Sequence, residues 1–241
     1  MRPSERQAGS AELVPRFTPV ERWAHRATAL LLGVCLSTAA VLYVGPLSVL
    51  VGRRELVAGT HVAAGILLPV PMLVAWLSPA FRSDVRELNR FAAADWQWLA
   101  ALRPRRTRLT RPDLAVGKFN AGQKLYAAFA AGAILVLFGT GLIMRYAQGW
   151  PVSLRTGATF VHDWLAFAVL VAVTGHLWMA LNDPIARLGM RTGSVPVSWA
   201  RAEHPGWLRA QPRAVAGSGA DPGAGSSHEP AQGAVHGRGE H

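Results

Sequence analysis

Charge is scarce in this chain, cysteine is nearly absent, and lysine is confined to two neighbouring positions. Only 16% of its 241 residues are charged and 51% are apolar, whereas charged residues make up about a quarter of an average soluble protein. The apolar residues are gathered into long runs, which excludes an ordinary soluble domain and marks a membrane protein. The one cysteine, Cys35, lies inside the first run. A single thiol excludes a disulfide framework, a thiolate zinc site and a Cys-x-x-Cys-His attachment motif, and leaves Cys35 as a small packing residue. Lysine occurs only at Lys118 and Lys124, so the net charge of +11 is almost entirely arginine. Those arginines flank apolar runs and no nucleic-acid module accompanies them. Nucleic acid is therefore not expected as a partner, and membrane topology accounts for the charge.

What is present is four stretches long enough to cross a hydrocarbon core of ~30 Å, which takes about 20 helical residues. They fall at about 23–44, 56–78, 125–146 and 158–181. The first is longer than the apolar part of a signal peptide and is expected to be retained as a span. Pro69 and Pro71 predict a kink in the second. The fold class expected is therefore all-α, an integral membrane four-helix bundle over 17–213. It lies between a disordered N-terminal segment, 1–16, and a disordered Gly/Ala/Ser-rich tail, 214–241, whose His228, His236 and His241 carry no role. Between the second and third spans, residues 84–102 place Val85, Leu88, Phe91, Trp96, Trp98, Leu99 and Leu102 beside charged positions. That pattern predicts an interfacial helix, the alternative being a partly ordered surface loop.

Basic residues set the orientation. The N-terminal segment carries Arg2, Arg6, Arg16 and Arg22, and the long loop carries Arg82, Arg86, Arg90, Arg103, Arg105, Arg106, Arg108, Arg111, Lys118 and Lys124. Arg187, Arg191, Arg201, Arg209 and Arg213 follow the last span. The opposite side has only Arg53, Arg54, Arg145 and Arg155. The positive-inside rule thus puts both termini and the long loop of this multi-pass chain in the cytoplasm.

Four histidines lie inside the spans: His25, His61, His162 and His176. Ionisable residues at membrane depth are costly and mark function. His25 and His176 belong near the cytoplasmic face, and His61 and His162 near the outer face. His176 follows His162 by 14 residues, almost a whole number of helical turns, so both imidazoles share a face about 21 Å apart. The depths pair His25 with His176 and His61 with His162. Facing imidazoles at one depth suit haem iron, and a helical bundle core is a usual place for a cofactor. Without an attachment motif such haems are held non-covalently. Gly59, Ala63, Ala64, Gly65, Ala166 and Gly175 leave room for a flat macrocycle. A lone histidine here would more often be an interhelical hydrogen-bonder, and a proton-conducting chain is the other alternative. A single four-histidine metal site fails on distance.

The third span is preceded by Gly117-Lys118-Phe119-Asn120-Ala121-Gly122-Gln123-Lys124. This resembles the Gly-Lys-aromatic-Asn-Ala-Gly-Gln-Lys motif of the cytochrome b, or gamma, subunit of respiratory formate dehydrogenases. Arg22-Trp23-Ala24-His25-Arg26, the spacing of His162 and His176, and His204-Pro205-Gly206-Trp207 extend the resemblance over roughly 17–209. The bis-histidine four-helix plan is shared with b-type cytochromes of hydrogenases and thiosulfate reductases. The resemblance implies two haem b groups and a quinone site (menaquinone or ubiquinone) formed by Asn120, Gly122 and His176, with Gln123 as neighbour. In physical terms Asn120 has an amide to offer a quinone carbonyl and Gly122 admits close backbone approach. A helix-entry turn with Asn120 as N-cap would look the same. His204 reads as a surface contact.

The function implied is electron transfer from an iron–sulfur beta subunit through two haems to a quinone at the cytoplasmic side. A molybdenum- or tungsten-containing alpha subunit would oxidise formate, so this chain would be the quinone-reducing subunit of an oxidoreductase complex and not the formate-oxidising one. The competing expectations are the same scaffold serving a hydrogenase or another periplasmic oxidoreductase, and a haemless membrane anchor or proton-translocating protein.

Overall fold

In the computed structural model the described residues are 12–101 and 115–211. Arg103, Arg105, Arg106, Arg108 and Arg111, and the tail histidines His228, His236 and His241, lie outside them. Among the described residues, four helices are long and apolar enough to cross a membrane. They are α1 (Pro19–Tyr43), α3 with α4 (Arg54–Leu67 and Val70–Ala75), α7 (Ala121–Arg145) and α8 (Val152–Asn182). The second span is broken at Pro69, whose missing N–H and ring disrupt the helical ladder. A seven-residue helix, α2 (Gly45–Val51), joins the first two spans and ends at Gly52, which takes a left-handed φ of 64°.

The spans begin earlier in sequence than their apolar runs. Thr18 caps α1 in a capping box with Glu21, and Asn120 caps α7 in a second box with Gln123. In each box the two end donors of the helix are satisfied reciprocally, so the first turn forms on polar residues.

Small residues face inward and large ones outward. Ala24, Thr28, Ala64, Ala133 and Ala158 are buried, whereas Leu30, Leu135, Trp178 and Met179 are exposed. That inversion is expected where lipid solvates the large side chains and close approach of helices stabilises the bundle. The chain packs as two hairpins, α1 against α3 and α4, and α7 against α8, with α3 touching α7 between them.

The loop predicted as one interfacial helix over 84–102 is two helices, α5 (Pro79–Leu88) and α6 (Ala93–Ala101). The break has a local cause: the Asp95 carboxylate accepts the Ala92 N–H at 2.8 Å and starts a new helix. After α8 come α9 (Pro184–Thr192), α10 (Val197–Glu203) and α11 (Pro205–Ala210).

Residues 1–16, expected to be disordered, are ordered at their end. Leu13–Pro15 form β1, which pairs antiparallel with β2 (Ser194–Pro196). Val14 and Val195 oppose each other in this ribbon and are essentially fully buried. The turn into β2 needs Gly193. Its φ is 96°, and a Cβ there would stand 2.7 Å from the Phe17 carbonyl oxygen.

Candidate functional site

The helices bring the four intramembrane histidines together in two pairs. The ring centres of His25 (α1) and His176 (α8) are 6.3 Å apart, and those of His61 (α3) and His162 (α8) are also 6.3 Å apart. Each pair reaches from one hairpin to the other. Among the described residues, no group of three or more His, Cys, Asp or Glu converges as a metal site.

The spacing tests whether the residues fit a haem iron. A coordinating imidazole nitrogen sits ~2 Å from a metal and the ring centre about 1 Å further back, so two trans imidazoles have centres ~6 Å apart. Both pairs meet that separation, which is too wide for one ring to hydrogen-bond the other. The rings are also not sealed into helix packing. His25 is exposed and His61, His162 and His176 are half-buried. Small residues keep the neighbourhood open, because a Cβ at Gly59, Gly65 or Gly175 would meet nothing within 4 Å. An open groove of about 440 Å³ follows α1 past Ala29, Gly33, Ser37 and Thr38, between the levels of the two pairs. Two imidazoles facing each other at this separation are a donor set suited to a non-covalent b haem.

Several neighbours of these rings carry no sequence motif of their own. Thr38 Oγ1 lies 2.9 Å from His61 Nδ1, and Thr140 Oγ1 lies 3.0 Å from His162 Nδ1. The Tyr126 ring stacks on His176, with centres 4.7 Å apart and planes 11° from parallel. Asp163, beside His162, accepts a hydrogen bond from Tyr43, while Trp164 faces outward. Gly141 lies against His162, 3.4 Å from its Cε1 if given a Cβ.

At the other end of α7, Asn120, Gly122 and Gln123 form one turn. Asn120 Oδ1 accepts the Gln123 N–H at 2.9 Å and Gln123 Oε1 accepts the Asn120 N–H at 3.0 Å. The Asn120 oxygen is thus committed to the cap, which leaves its NH2 as the group able to donate outward. The space beside Gly122 is filled, since a Cβ there would stand 3.2 Å from the edge of the Trp98 ring. Packing of α6 is therefore one reason for glycine at 122. Tyr126, one turn after Gly122, links this motif to His176.

Buried ion pairs hold this end together. Lys124 Nζ bonds Asp95 at 2.7 Å. Lys118 Nζ bonds both Asp84 oxygens, at 2.6 and 2.5 Å, with Glu21 3.9 Å away. Burial, then the Glu21 charge, pushes the Asp84 carboxyl up to about 6, with Lys118 opposing.

His204 is not the surface contact expected from sequence. It is 2% exposed, with Nδ1 2.8 Å from the Gly117 carbonyl and Nε2 3.0 Å from Arg16 Nη2. The correction follows from Arg16, which also donates to the Lys118 carbonyl and lies over the Trp199 ring at 4.8 Å. Burial, reinforced by Arg16, pushes His204 down to about 4, and burial brings Arg16 itself down to about 10. His204 thus ties the tail to the segment that leads into Asn120.

Four membrane helices with two facing histidine pairs at separate depths define a multi-pass helical membrane protein of the b-type cytochrome plan. The chain belongs to the prokaryotic cytochrome b561 family, whose model matches residues 16–234. Membership implies haem b. Among individual proteins, it is 33% identical over 97 residues to the cytochrome b556(Fdn) subunit of the nitrate-inducible formate dehydrogenase of Escherichia coli K12. That match covers 39% of this chain and 45% of the relative, so it spans less than half of that subunit. It is also 27% identical over 204 residues to the cytochrome b556(fdo) subunit of an E. coli K12 formate dehydrogenase, covering 82% of this chain and 93% of the relative. A cytochrome b556 subunit of formate dehydrogenase from Haemophilus influenzae is 30% identical over 96 residues, 39% of this chain and 40% of that one.

Proposed function

We propose that this chain is the membrane cytochrome b subunit of a formate dehydrogenase complex, binding two b haems and reducing a quinone at the cytoplasmic face. The observation that carries this is the repeat of one ring separation, 6.3 Å, by two histidine pairs within one bundle. His25 and His176 would hold the inner haem, and His61 and His162 the outer one. When bound, such haems supply one-electron transfer between the two levels of the membrane.

The chain's own part is binding and positioning. Hairpin packing fixes the gap between the rings, and the Tyr126 stack sets the plane of His176. At the entry to α7, the Asn120 NH2 is the donor for a quinone carbonyl, Gln123 holds the Asn120 backbone, and Gly122 keeps Trp98 beside it. The excess of arginine around the termini and the long loop supports a cytoplasmic location for this end in a bacterial inner membrane. Similarity to formate dehydrogenase subunits supports an iron–sulfur beta subunit and a molybdenum- or tungsten-containing alpha subunit as partners, with formate oxidised by the latter.

The test is haem quantification by reduced-minus-oxidised spectra on chain expressed with ample haem. Wild type should hold two haems per chain and His61→Ala or His162→Ala one, with formate-to-quinone electron flow abolished in the complex assembled with its partner subunits. Retention of two low-spin haems in both variants overturns the assignment.

A further inference from the structure

We infer that Thr38 and Thr140 are positioning residues for the outer histidine pair, each hydroxyl holding the imidazole of a neighbouring helix in the tautomer that leaves Nε2 free for iron. This rests on the haem-binding reading above and adds to it which nitrogen is presented and how the outer site is tuned.

A hydroxyl has one proton. Thr38 Oγ1 lies 2.7 Å from the Val34 carbonyl and 3.0 Å from that of Cys35, both acceptors only. Its proton is therefore spent on its own helix, in the four-residue back-bond common for threonine. What remains toward His61 Nδ1, at 2.9 Å, is a lone pair, so Nδ1 must carry the proton and donate it. The Cys35 carbonyl, 3.2 Å from the same nitrogen, imposes the same tautomer. The second hairpin repeats the device. Thr140 Oγ1 donates to Val136 at 2.7 Å, with Leu137 at 3.2 Å, and accepts from His162 Nδ1 at 3.0 Å. In both hairpins a threonine on the first helix serves a histidine on the second, 23 and 22 residues further on.

Back-bonding alone does not produce this. Thr60, Thr156, Thr159 and Thr174 bond the carbonyl four residues earlier in the same way, and none of them meets an imidazole. The inner pair is also built differently. Among the described residues neither His25 nor His176 makes an Nδ1 hydrogen bond, and His176 is set by the Tyr126 stack instead.

An imidazole whose N–H is held by an oxygen is a more basic ligand through its other nitrogen. A more basic ligand pair would favour the ferric state of a haem held there, so the two threonines would lower the midpoint potential of the outer site and not that of the inner one. That difference would favour transfer from the outer to the inner level.

The experiment is a redox titration, by optical and EPR spectra, of the full chain in lipid nanodiscs. The variants are Thr38→Val, Thr140→Val, both together, and the corresponding serine replacements. The outer haem is identified by its loss in His61→Ala. The valine variants should show an upward shift of the outer potential, larger in the double variant, with the inner potential unmoved and the serine variants at wild-type values. Loss of the outer haem alone from the valine variants, with retention in the serine ones, also meets the expectation. Two bound haems with unmoved potentials, or valine and serine behaving alike, overturns it and leaves the haem reading standing. A wild-type chain without haem overturns both.

Discussion

Replacing Lys124 by methionine should cost the fold about 3–5 kcal/mol, the range found when one member of a buried ion pair is removed. The side chains of Lys124 and Asp95 are 6% and 7% exposed, and Nζ meets Oδ2 at 2.7 Å. Lys124 Nζ also donates to the Arg90 carbonyl at 3.0 Å, and Asp95 accepts the Ala92 N–H at 2.8 Å. Lys124→Met would strand a desolvated carboxylate, and Asp95→Leu would strand an ammonium group and remove the start of α6. The double variant removes both charges and leaves only the Arg90 carbonyl and Ala92 N–H unpaired, at about 1–3 kcal/mol each. At mid-range values the single losses sum to about 8 kcal/mol and the double loss is about 4 kcal/mol, so the double variant should fall short of the sum by about 4 kcal/mol. Urea unfolding in mixed micelles, followed by far-UV circular dichroism, measures all three. If the single losses add to within about 0.5 kcal/mol, the two groups are uncoupled and the reasoning is refuted.

Asn120→Ala should lower stability by about 1 kcal/mol through loss of the α7 N-cap and raise the apparent KM for a soluble quinone analogue. Asn120→Asp keeps the capping oxygen but not the NH2, so its KM should rise with stability unchanged; an unmoved KM in both variants would make Asn120 a cap and nothing more. His204 and Asp84 should also give opposite pH dependences. His204 has a folded value of about 4 against 6.5 unfolded, so its contribution is complete above 6.5 and lost as pH falls toward 4. Asp84 has a folded value of about 6 against 3.8, so its contribution is complete below 3.8 and lost as pH rises through 6. Between pH 4 and 6 the two oppose, and thermal scans should show a nearly level midpoint for wild type, a falling one with rising pH for His204→Gln, and a rising one for Asp84→Asn.

The histidine pairs were legible because two local facts sufficed: apolar run length fixes depth, and 14 residues on a helix fix the face. The threonines were not, because a threonine in an apolar helix ordinarily bonds its own backbone, and its distance to the next hairpin's histidine means something only once the hairpin is known. The ribbon was illegible for another reason. Leu13–Pro15 and Ser194–Pro196 are too short to display an alternating pattern, and their partners lie at opposite ends of the sequence. His204 was misread as a surface contact because it falls in the tail segment His204-Pro205-Gly206-Trp207 and not at a ligand position. Its burial depends on Arg16 and Gly117, 188 and 87 residues away.

The basic residues that suggested orientation have a second use that the sequence conceals. Arg16, Lys118 and Lys124 count toward the positive side, yet in the fold all three are largely withdrawn from solvent and bonded. The two uses are compatible because charge directs orientation while the chain is being inserted, before tertiary partners exist, and acidic residues weigh little in that count. Asp84, Asp95 and Glu21 can therefore neutralise these cations afterwards without cancelling the topological signal. The result is that the charges on that side also fasten α5, α6 and the β-ribbon around the entry to α7. Asn120 is thus held by residues that also count toward the orientation expected from the positive-inside rule, and a substitution at Lys118 or Lys124 must be assayed for topology and for packing separately.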